Sequence, residues 1–443
     1  ARAAAHAVAA GAGRMPAPEA RSGDAGGPGS LLQGRWRISV QPPLFEDADS
    51  TIFRARDMRD DRQEVMVKVY KSPGPAAVQR FRRSVELLLT FRGRFTKKGC
   101  RIESSSNLEL LLDELRTQTN VSDYATAHSF ISQMNFRSCF AEIISYSHDD
   151  DWMPNADPPT GLLFIVMELG DMSLKTRMNE CYRAMKTLSK EEIRAVHWAL
   201  VTMVCGLHTE GYLHLDIRPS KLFRYTEGGQ QVWKLVDLDG AVRFGSQVRI
   251  PDLVCAHEYA PPELAQQILK GYREGGRVKL CRSMNVWSVG MVALETVALM
   301  PVYDVKFAWF QAFRDRKGGG RSKESFLAAI ADEHSQSLAT DKLIPPELSE
   351  AMASMSEDMA AVVEGMLAKD VKHRSSIGQA MLQRWFAPCR KAALDARWRV
   401  NADEPEDLPG TANAGAGGEQ EDTIGDDLHA YIKKQAARVA GRG

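Results

Sequence analysis

Hydrophobic and polar positions change their spacing near the middle of the chain. Before Gly170, the runs WRISV, STIFRAR and EVMVKVY alternate and are rich in β-branched residues, with polar turns between them. This pattern is typical of antiparallel strands. The apolar run GLLFIVMEL predicts one further strand ending at Leu169. Beyond Gly170 the spacing becomes helical, so we predict a β-rich part followed by a mainly helical part.

Three segments have the apolar spacing of helices. Two lie in the first half, AAVQRFRRSVELLLTFRGR and NLELLLDELRTQ, and the second belongs to a stretch at about 97–160 that we interpret as an insertion. The third segment, SKEEIRAVHWALVTMVCGLHTEG, repeats its apolar residues at helical spacing and is expected to be buried. Its Ser189 and Glu192 predict a capping box at the start of the helix.

The two ends of the chain differ from the part between them. Residues 1–34 are rich in Ala, Gly, Pro and Arg without periodicity, and we expect a disordered leader. Residues 397–443 read as a low-complexity tail with one short helix, DDLHAYIKKQAARV. The expected organisation is therefore α+β, with a small β-rich lobe at 35–169 and a larger helical lobe at 170–396.

The composition of the chain argues against binding to nucleic acid and against a transmembrane segment. Lys plus Arg and Asp plus Glu number 57 each, so no net charge steers the chain towards nucleic acid. The longest apolar stretch, 286–302, is interrupted by Ser288 and Glu295, and we expect no transmembrane segment. The oligomeric state stays open at this level.

The segment YLHLDIRPSKLFRYTEGGQQVWKLVDLDGA, residues 212–241, carries the strongest chemical signal. Asp216 comes soon after the third predicted helix, and Asp237 ends the apolar run VWKLVD, which predicts a buried strand. A carboxylate on a rigid loop can accept the proton of an attacking hydroxyl, and a carboxylate is a hard ligand that suits magnesium. The pair therefore favours phosphoryl transfer, with Asp216 as the base and Asp237 as the metal ligand.

These strings resemble the catalytic and metal-binding loops of eukaryotic protein kinases, which read HRDLxxxxN and DFG. His214, expected to be structural, and Arg218 stand at the family's offsets from Asp216. Downstream, YAPPE at 259–263 resembles the motif that closes the activation segment, and NVWSVG, beginning at Asn285, resembles the start of a buried helix. The resemblance implies a bilobal protein-kinase fold, and the PPE segment favours protein kinases over small-molecule kinases.

The resemblance also implies an ion pair in the β-rich lobe. Lys68, in the third strand, would contact the phosphates of ATP and be oriented by Glu86 in the following helix. The insertion after that helix makes Glu109 or Glu114 a possible substitute.

Other roles follow from the same resemblance. Glu168 and Leu169, where the lobes join, would contact the nucleotide. Arg374 would pair with Glu263 of the PPE motif, and Asn285 would accept hydrogen bonds from the catalytic-loop backbone in place of the usual aspartate.

The phosphate-covering loop departs from the family. Aligned on Ile52 and Ala55, the three glycine positions of LGxGxxGxV hold Phe45, Asp47 and Ser50. Glycines there let backbone amides approach phosphates without a side chain in the way. The acidic side chains of this loop would instead place negative charge beside a triphosphate. We therefore expect that a nucleotide is not clamped in the usual manner.

The catalytic loops depart as well. Lys221 replaces the asparagine that holds a second magnesium ion. An ammonium group cannot ligate a cation, but it can replace that metal's charge against a phosphate. Asp239 replaces the glycine after Asp237 and either restricts the backbone or adds a third carboxylate. Leu215 replaces the arginine that contacts a phosphorylated loop, so switching by loop phosphorylation is not supported.

The absent glycines, the insertion and the PPE segment together resemble the rhoptry kinase family of apicomplexan parasites, in particular its kinases without a glycine loop. That family is secreted, often has disulfides in the large lobe, and contains both active enzymes and pseudokinases. The resemblance implies a rhoptry or vacuolar location, with a cytoplasmic one otherwise. It also makes a bridge between Cys255 and Cys281 conceivable, the alternative being two buried thiols.

Two hypotheses about function remain. In the first, the chain is a divergent Ser/Thr protein kinase that uses ATP and Mg²⁺ to phosphorylate protein substrates, with Lys68, Asp216, Lys221 and Asp237 in the reaction. In the second, it is a weak or inactive pseudokinase that acts as a binding platform or allosteric partner of another protein. The PPE and WSVG segments disfavour a small-molecule phosphotransferase.

Overall fold

Two lobes with different secondary structure make up the part of the chain that the computed structural model describes. That part comprises residues 26–60, 63–72, 74–94, 106–132, 134, 136–274, 276–302, 327–328, 330–331 and 346–393. The predicted tail helix and most of the predicted disordered leader lie outside these residues.

A sheet of seven strands forms the core of the first lobe as described. Its order is β1-β2-β4-β5-β7-β6, with β3 paired to β4. The predicted strands are confirmed, and β6, which the alternation did not indicate, comes from the stretch interpreted as an insertion. The bounds are β1 Leu31–Leu32, β2 Trp36–Ile38, β3 Phe45–Glu46, β4 Ser50–Asp57, β5 Glu64–Tyr70, β6 Ile143–Tyr146 and β7 Phe164–Glu168.

The two faces of β5 have different surroundings. Its valine residues pack in a small apolar cluster on one face of the sheet. Because side chains alternate along a strand, Met66, Lys68 and Tyr70 lie on the other face. There Tyr70 packs edge-on against Phe81 of helix α1 (Pro75–Arg94), with ring centroids 5.7 Å apart. The alternation thus places Lys68 in the space between the sheet, α1 and the second lobe.

The two helices after α1 belong to the predicted insertion and pack against the second lobe. They are α2 (Ser106–Gln118) and α3 (Val121–Ile131). Asn120 caps the start of α3, and its side chain accepts a hydrogen bond from the Asp123 amide. Apolar residues of α2 join the same hydrophobic core as the helical lobe. Helices α2 and α3 therefore attach this part of the chain to the helical lobe.

Helices dominate the second lobe as described, with short strands around the loops that carry Asp216 and Asp237. The helices are α4 Leu174–Arg183, α5 Lys190–Thr209, α6 Pro262–Glu274, α7 Ser283–Ala298, α8 Pro346–Ala353, α9 Glu357–Met366 and α10 Ile377–Leu382. The strands are β8 Met172–Ser173, β9 Tyr212–His214, β10 Leu222–Glu227, β11 Gln230–Leu235, β12 Ala241–Arg243, β13 Gln247–Arg249 and β14 Arg277–Lys279.

The predicted buried helix is α5, which packs against α7 in the core. Its Ser189 hydroxyl accepts the hydrogen bond of the Glu192 amide, as a capping residue should. The Glu192 carboxylate binds the Arg177 guanidinium at 2.8 Å, so this contact joins α4 to α5. Among the helices described, none has the length and apolar character needed to cross a membrane.

Candidate active site

A buried network around His214 fixes the start of the catalytic loop. β9 pairs with β12, which sets His214 opposite Ala241. The Asn285 side chain, in the first turn of α7, donates a hydrogen bond to the His214 carbonyl at 2.7 Å and accepts one from its amide at 3.1 Å. The imidazole Nε2 lies 2.8 Å from the Asp237 carbonyl oxygen. Burial lowers the pKa of His214 to about 4, so the ring is neutral at physiological pH and ties the two loops together.

Asp216 and Asp237 come together on either side of Lys221, as the sequence predicts for one site. The Lys221 ammonium lies 2.5 Å from Asp237 Oδ2 and 3.8 Å from Asp216 Oδ2. All three side chains are buried. Burial alone would raise the pKa of Asp237, but the ammonium groups of Lys221 and Lys68 hold it well below its usual range. Asp237 is therefore ionised and compensated by two lysines.

The environment of Asp216 differs from that of Asp237. Its carboxylate contacts the Arg218 guanidinium, with Nε 2.8 Å from Oδ1. Burial raises the pKa of Asp216 to about 6, against the opposing effect of Lys221 and Arg218. A carboxylate that titrates close to neutrality can both accept and release a proton, as a general base requires. The two aspartates thus have separate chemical characters.

Lys68 does not form the predicted pair with Glu86. Among the described residues, its ammonium lies 2.7 Å from Asp237 Oδ1 and 2.7 Å from Asp239 Oδ2. Burial lowers the pKa of Lys68, but these two carboxylates outweigh it and raise the pKa overall. Of the possible substitutes, Glu109 is exposed and Glu114 pairs with an arginine of the second lobe. The partner of Lys68 comes instead from the loop after β11.

Asp239 belongs to the candidate site, but the sequence did not indicate that it pairs with Lys68. Its Oδ1 accepts hydrogen bonds from the Tyr70 hydroxyl and the Ser84 hydroxyl, each at 2.7 Å. Ser84 occupies the face of α1 that looks towards Lys68, which is why Glu86, two positions on, does not reach it. An acidic residue where the family has glycine was the available signal.

The contrast between Asp239 and Glu86 gives a direct prediction. We expect Asp239→Asn to weaken Mg·ATP binding by about tenfold, because Lys68 loses the carboxylate that would orient it towards the phosphates once it leaves Asp237. Glu86→Gln, a matched change on the same helix as Ser84, should leave the affinity within about twofold. Isothermal titration calorimetry measures both, and an effect of Glu86→Gln as large as that of Asp239→Asn would contradict the pairing.

A short hairpin, β3–β4, occupies the segment that the alignment on Ile52 and Ala55 places at the phosphate-covering loop. β3 and β4 are joined by a tight turn in which the Asp47 carboxylate accepts the amide hydrogen bonds of Asp49 at 3.0 Å and Ser50 at 2.8 Å. Asp and Ser are residues that stabilise turns in this way. The Phe45 ring lies against Lys221, whose nitrogen is 4.5 Å from the ring centroid. The hairpin therefore reaches down to the catalytic loop.

At the connection between the lobes, the Glu168 carboxylate accepts hydrogen bonds from the Lys234 ammonium at 2.6 Å and from the Glu142 amide at 2.8 Å. Leu169 packs against the main hydrophobic core. Because of these two contacts, the Glu168 side chain is held at the junction between the lobes. The nucleotide contacts expected of both residues stay predictions.

The predicted pair of Arg374 with Glu263 is present, with nitrogen to oxygen distances of 2.6 and 3.0 Å. It connects the start of α6 to the segment before α10. In the described structure, Cys281 is a free thiol whose Sγ lies 3.0 Å from the Ser283 hydroxyl, and the conceivable bridge to Cys255 is not formed.

Comparison with known proteins assigns the chain to a family. Residues 157–386 match the family model of the protein kinase domain, which is more than half of the chain. The chain therefore belongs to the protein kinase domain family, and its α+β architecture is the bilobal protein-kinase fold.

Three curated relatives are serine/threonine or cyclin-dependent kinases. Cyclin-dependent kinase G1 of Arabidopsis thaliana is 27% identical over 145 residues, which is 32% of this chain and 21% of the relative. Serine/threonine-protein kinase AtPK1/AtPK6 of the same plant is 23% identical over 225 residues, 49% of this chain and 39% of the relative. The probable serine/threonine-protein kinase MRK1 homolog of Encephalitozoon cuniculi is 28% identical over 153 residues, 34% of this chain and 42% of the relative. The chain thus spans less than half the length of these relatives.

Proposed function

We propose that this chain is a divergent serine/threonine protein kinase that transfers the γ-phosphate of ATP to hydroxyl groups of proteins. The observation that carries the proposal is the convergence of Lys68 from the sheet with Lys221 and Asp237 from the second lobe, directly beside Asp216. A phosphoryl-transfer site needs cations for the phosphates and a carboxylate for the nucleophile in one place.

Each side chain has a role that its surroundings support. Asp216, with its pKa near neutrality, would accept the proton of the attacking hydroxyl. Arg218 and Lys221, the cations that contact Asp216, would stabilise the charge of the phosphoryl group as it moves. Lys68 would exchange a carboxylate for a nucleotide phosphate, since both are anionic oxygens that a buried ammonium can bind.

The donor set fits one magnesium ion better than two. Asp237 supplies hard, ionised oxygens of the kind that Mg²⁺ prefers, and moving Lys68 onto phosphate would leave its Oδ1 available. The other oxygen, Oδ2, is bound by Lys221, which stands where the family has an asparagine ligand. Magnesium bound at Asp237 would supply positive charge beside the phosphates, and Lys221 would supply the charge of a second ion.

The experiment measures ATP binding and phosphate transfer to a generic protein substrate with and without magnesium, for the wild-type chain and for Asp237→Ala. We expect the wild type to bind ATP in a magnesium-dependent manner, and the variant to bind it about tenfold less tightly. Failure of both proteins to bind ATP would end the kinase proposal. Transfer that is unaffected by Asp237→Ala would show that Asp237 is not the metal ligand.

A second candidate function, a pseudokinase that serves as a binding platform, is favoured by one specific observation. Lys68, Lys221 and Asp237 already compensate one another's charges with distances of 2.5 and 2.7 Å, so the cluster is stable without nucleotide. Binding of ATP without transfer, at any substrate concentration, would favour this function. The proposed relationship to rhoptry kinases without a glycine loop rests on Asp47, an acidic residue at a position where protein kinases have glycine, and secretion is proposed from that relationship alone.

A further inference from the structure

The turn of the β3–β4 hairpin carries two aspartates. One of them points into the catalytic cluster, which is formed by Asp216, Arg218, Lys221 and Asp237. Asp47 Oδ2 lies 3.0 Å from the Lys221 ammonium and 3.2 Å from Arg218. Its neighbour Asp49 turns the other way and meets Arg80 at 3.2 Å, on the outside of the lobe. The side chain of Asp47 is 21% exposed, against 60% for Asp49. The two carboxylates of the same turn therefore have opposite surroundings.

The position of the Asp47 carboxylate is fixed by the turn itself. Its Oδ1 accepts the amides of Asp49 and Ser50, so Oδ2 is left to face the second lobe. Lys71, the residue directly after β5, also holds the hairpin. Its ammonium contacts the Asp47 carbonyl at 2.5 Å and Glu46 Oε1 at 2.7 Å. A carboxylate oriented in advance loses little entropy when it binds the two cations.

The cations that Asp47 occupies are the ones that a phosphate would need. A phosphoryl group in position for transfer must lie next to Asp216, since the base has to reach the attacking hydroxyl. Arg218 and Lys221 are the cations that contact Asp216, at 2.8 and 3.8 Å. Burial alone would raise the pKa of Asp47, but Lys221 lowers it overall, so the carboxylate is charged at neutral pH. Carboxylate and phosphate oxygens then compete for the same donors.

We propose that Asp47 is an internal substitute for phosphate, and that the hairpin is a gate which the terminal phosphates of a nucleotide must displace from Arg218 and Lys221. This inference rests on the proposed function, because it names a regulation of the same site. It explains why an acidic residue stands where the family has a glycine that approaches phosphate. In the described arrangement the chain holds its own cleft closed, and nucleotide affinity is reduced by the free energy of opening the gate.

The test uses the full chain and compares Mg·ATP with adenosine, which has no phosphate. Asp47→Asn keeps a side-chain oxygen for the two turn amides but removes the charge that faces the cations. We expect Asp47→Asn to bind Mg·ATP about tenfold more tightly than wild type, because one charge-assisted contact no longer competes. Adenosine affinity should not change. Asp47→Ser, which also keeps an acceptor for the turn, should behave in the same way.

Asp49→Asn is the matched control, because it removes an equal charge from the same turn without touching the cluster. It should leave both affinities unchanged, as measured by titration calorimetry alongside thermal melting of every variant. Equal Mg·ATP affinity of wild type and Asp47→Asn would overturn the gate and leave the kinase proposal standing. A tighter affinity for adenosine as well would also overturn it, because the cleft would then open without regard to phosphate. Absence of nucleotide binding in every variant would overturn both proposals.

Discussion

Replacing Asp216 with asparagine is expected to lower phosphoryl transfer at saturating Mg·ATP by about a thousandfold. Asparagine has the same shape, and its amide oxygen can still accept the hydrogen bond that Arg218 Nη2 donates to Asp216 Oδ2 at 3.4 Å. It cannot take the proton of the attacking hydroxyl. The loss should therefore appear in the chemical step.

A pH profile gives this prediction a second readout. Because burial raises the pKa of Asp216 to about 6, the wild-type rate should increase between about pH 5 and 7 as the carboxylate loses its proton. The profile of Asp216→Asn should be flat through this range. Single-turnover transfer, measured with saturating Mg·ATP, follows the chemical step in both proteins. A variant with the wild-type rate, or with the wild-type pH profile, would remove Asp216 from the role of base.

The sequence was most informative where the functional residues lie close together along the chain. Asp216 and Lys221 are five positions apart on one loop, and Asp237 follows two residues after the end of strand β11, so their convergence follows from local structure. Lys68 was expected in the third of the alternating strands, and β5 carries it on the face opposite its valine residues. Local periodicity and motif spacing thus predict the members of the cluster.

The contacts between distant segments were harder to predict. Asp47 and Lys221 are 174 positions apart, and their meeting depends on how closely the hairpin approaches the second lobe. Glu86 was expected to face Lys68, but the helix presents Ser84 there, two positions earlier and about 200° away around the helix axis. A turn of α1 by one position changes which residue faces the cluster, because successive residues are about 100° apart on a helix. Helical register against a neighbouring lobe is a tertiary property that periodicity alone leaves undetermined.

The strand β6 was not predicted for a related reason. The segment around Ile143–Tyr146 has only two adjacent apolar residues before its polar part, and the sheet accepts it at the edge, beside β7. The pairing has an irregular register between Ile143 and Ser145. A short edge strand of this kind gains its stability from the partner strand more than from its own sequence.

Arg374 connects three segments of the helical lobe and is completely buried. Besides the two contacts with Glu263, its guanidinium donates to the carbonyl oxygens of Ala368 at 2.9 Å and Ser283 at 3.0 Å. The same group lies 5.0 Å from the centroid of the Trp287 ring. The start of α6, the start of α7 and the segment before α10 therefore all depend on one cation.

Replacing Arg374 with methionine is expected to lower the free energy of unfolding by about 3 kcal/mol, because it leaves Glu263 without its partner in a mostly buried position. Urea denaturation followed by circular dichroism measures this loss. Arg249→Met is the matched control, since Arg249 pairs at 2.6 Å with Asp252 but both side chains are well exposed, at 63% and 42%. Exposed pairs of this kind contribute little, so the control should unfold at nearly the wild-type urea concentration. If the two variants were equally stable, the contacts of Arg374 would not be a main support of the helical lobe. Other contacts would then have to fix the positions of Asn285 and His214.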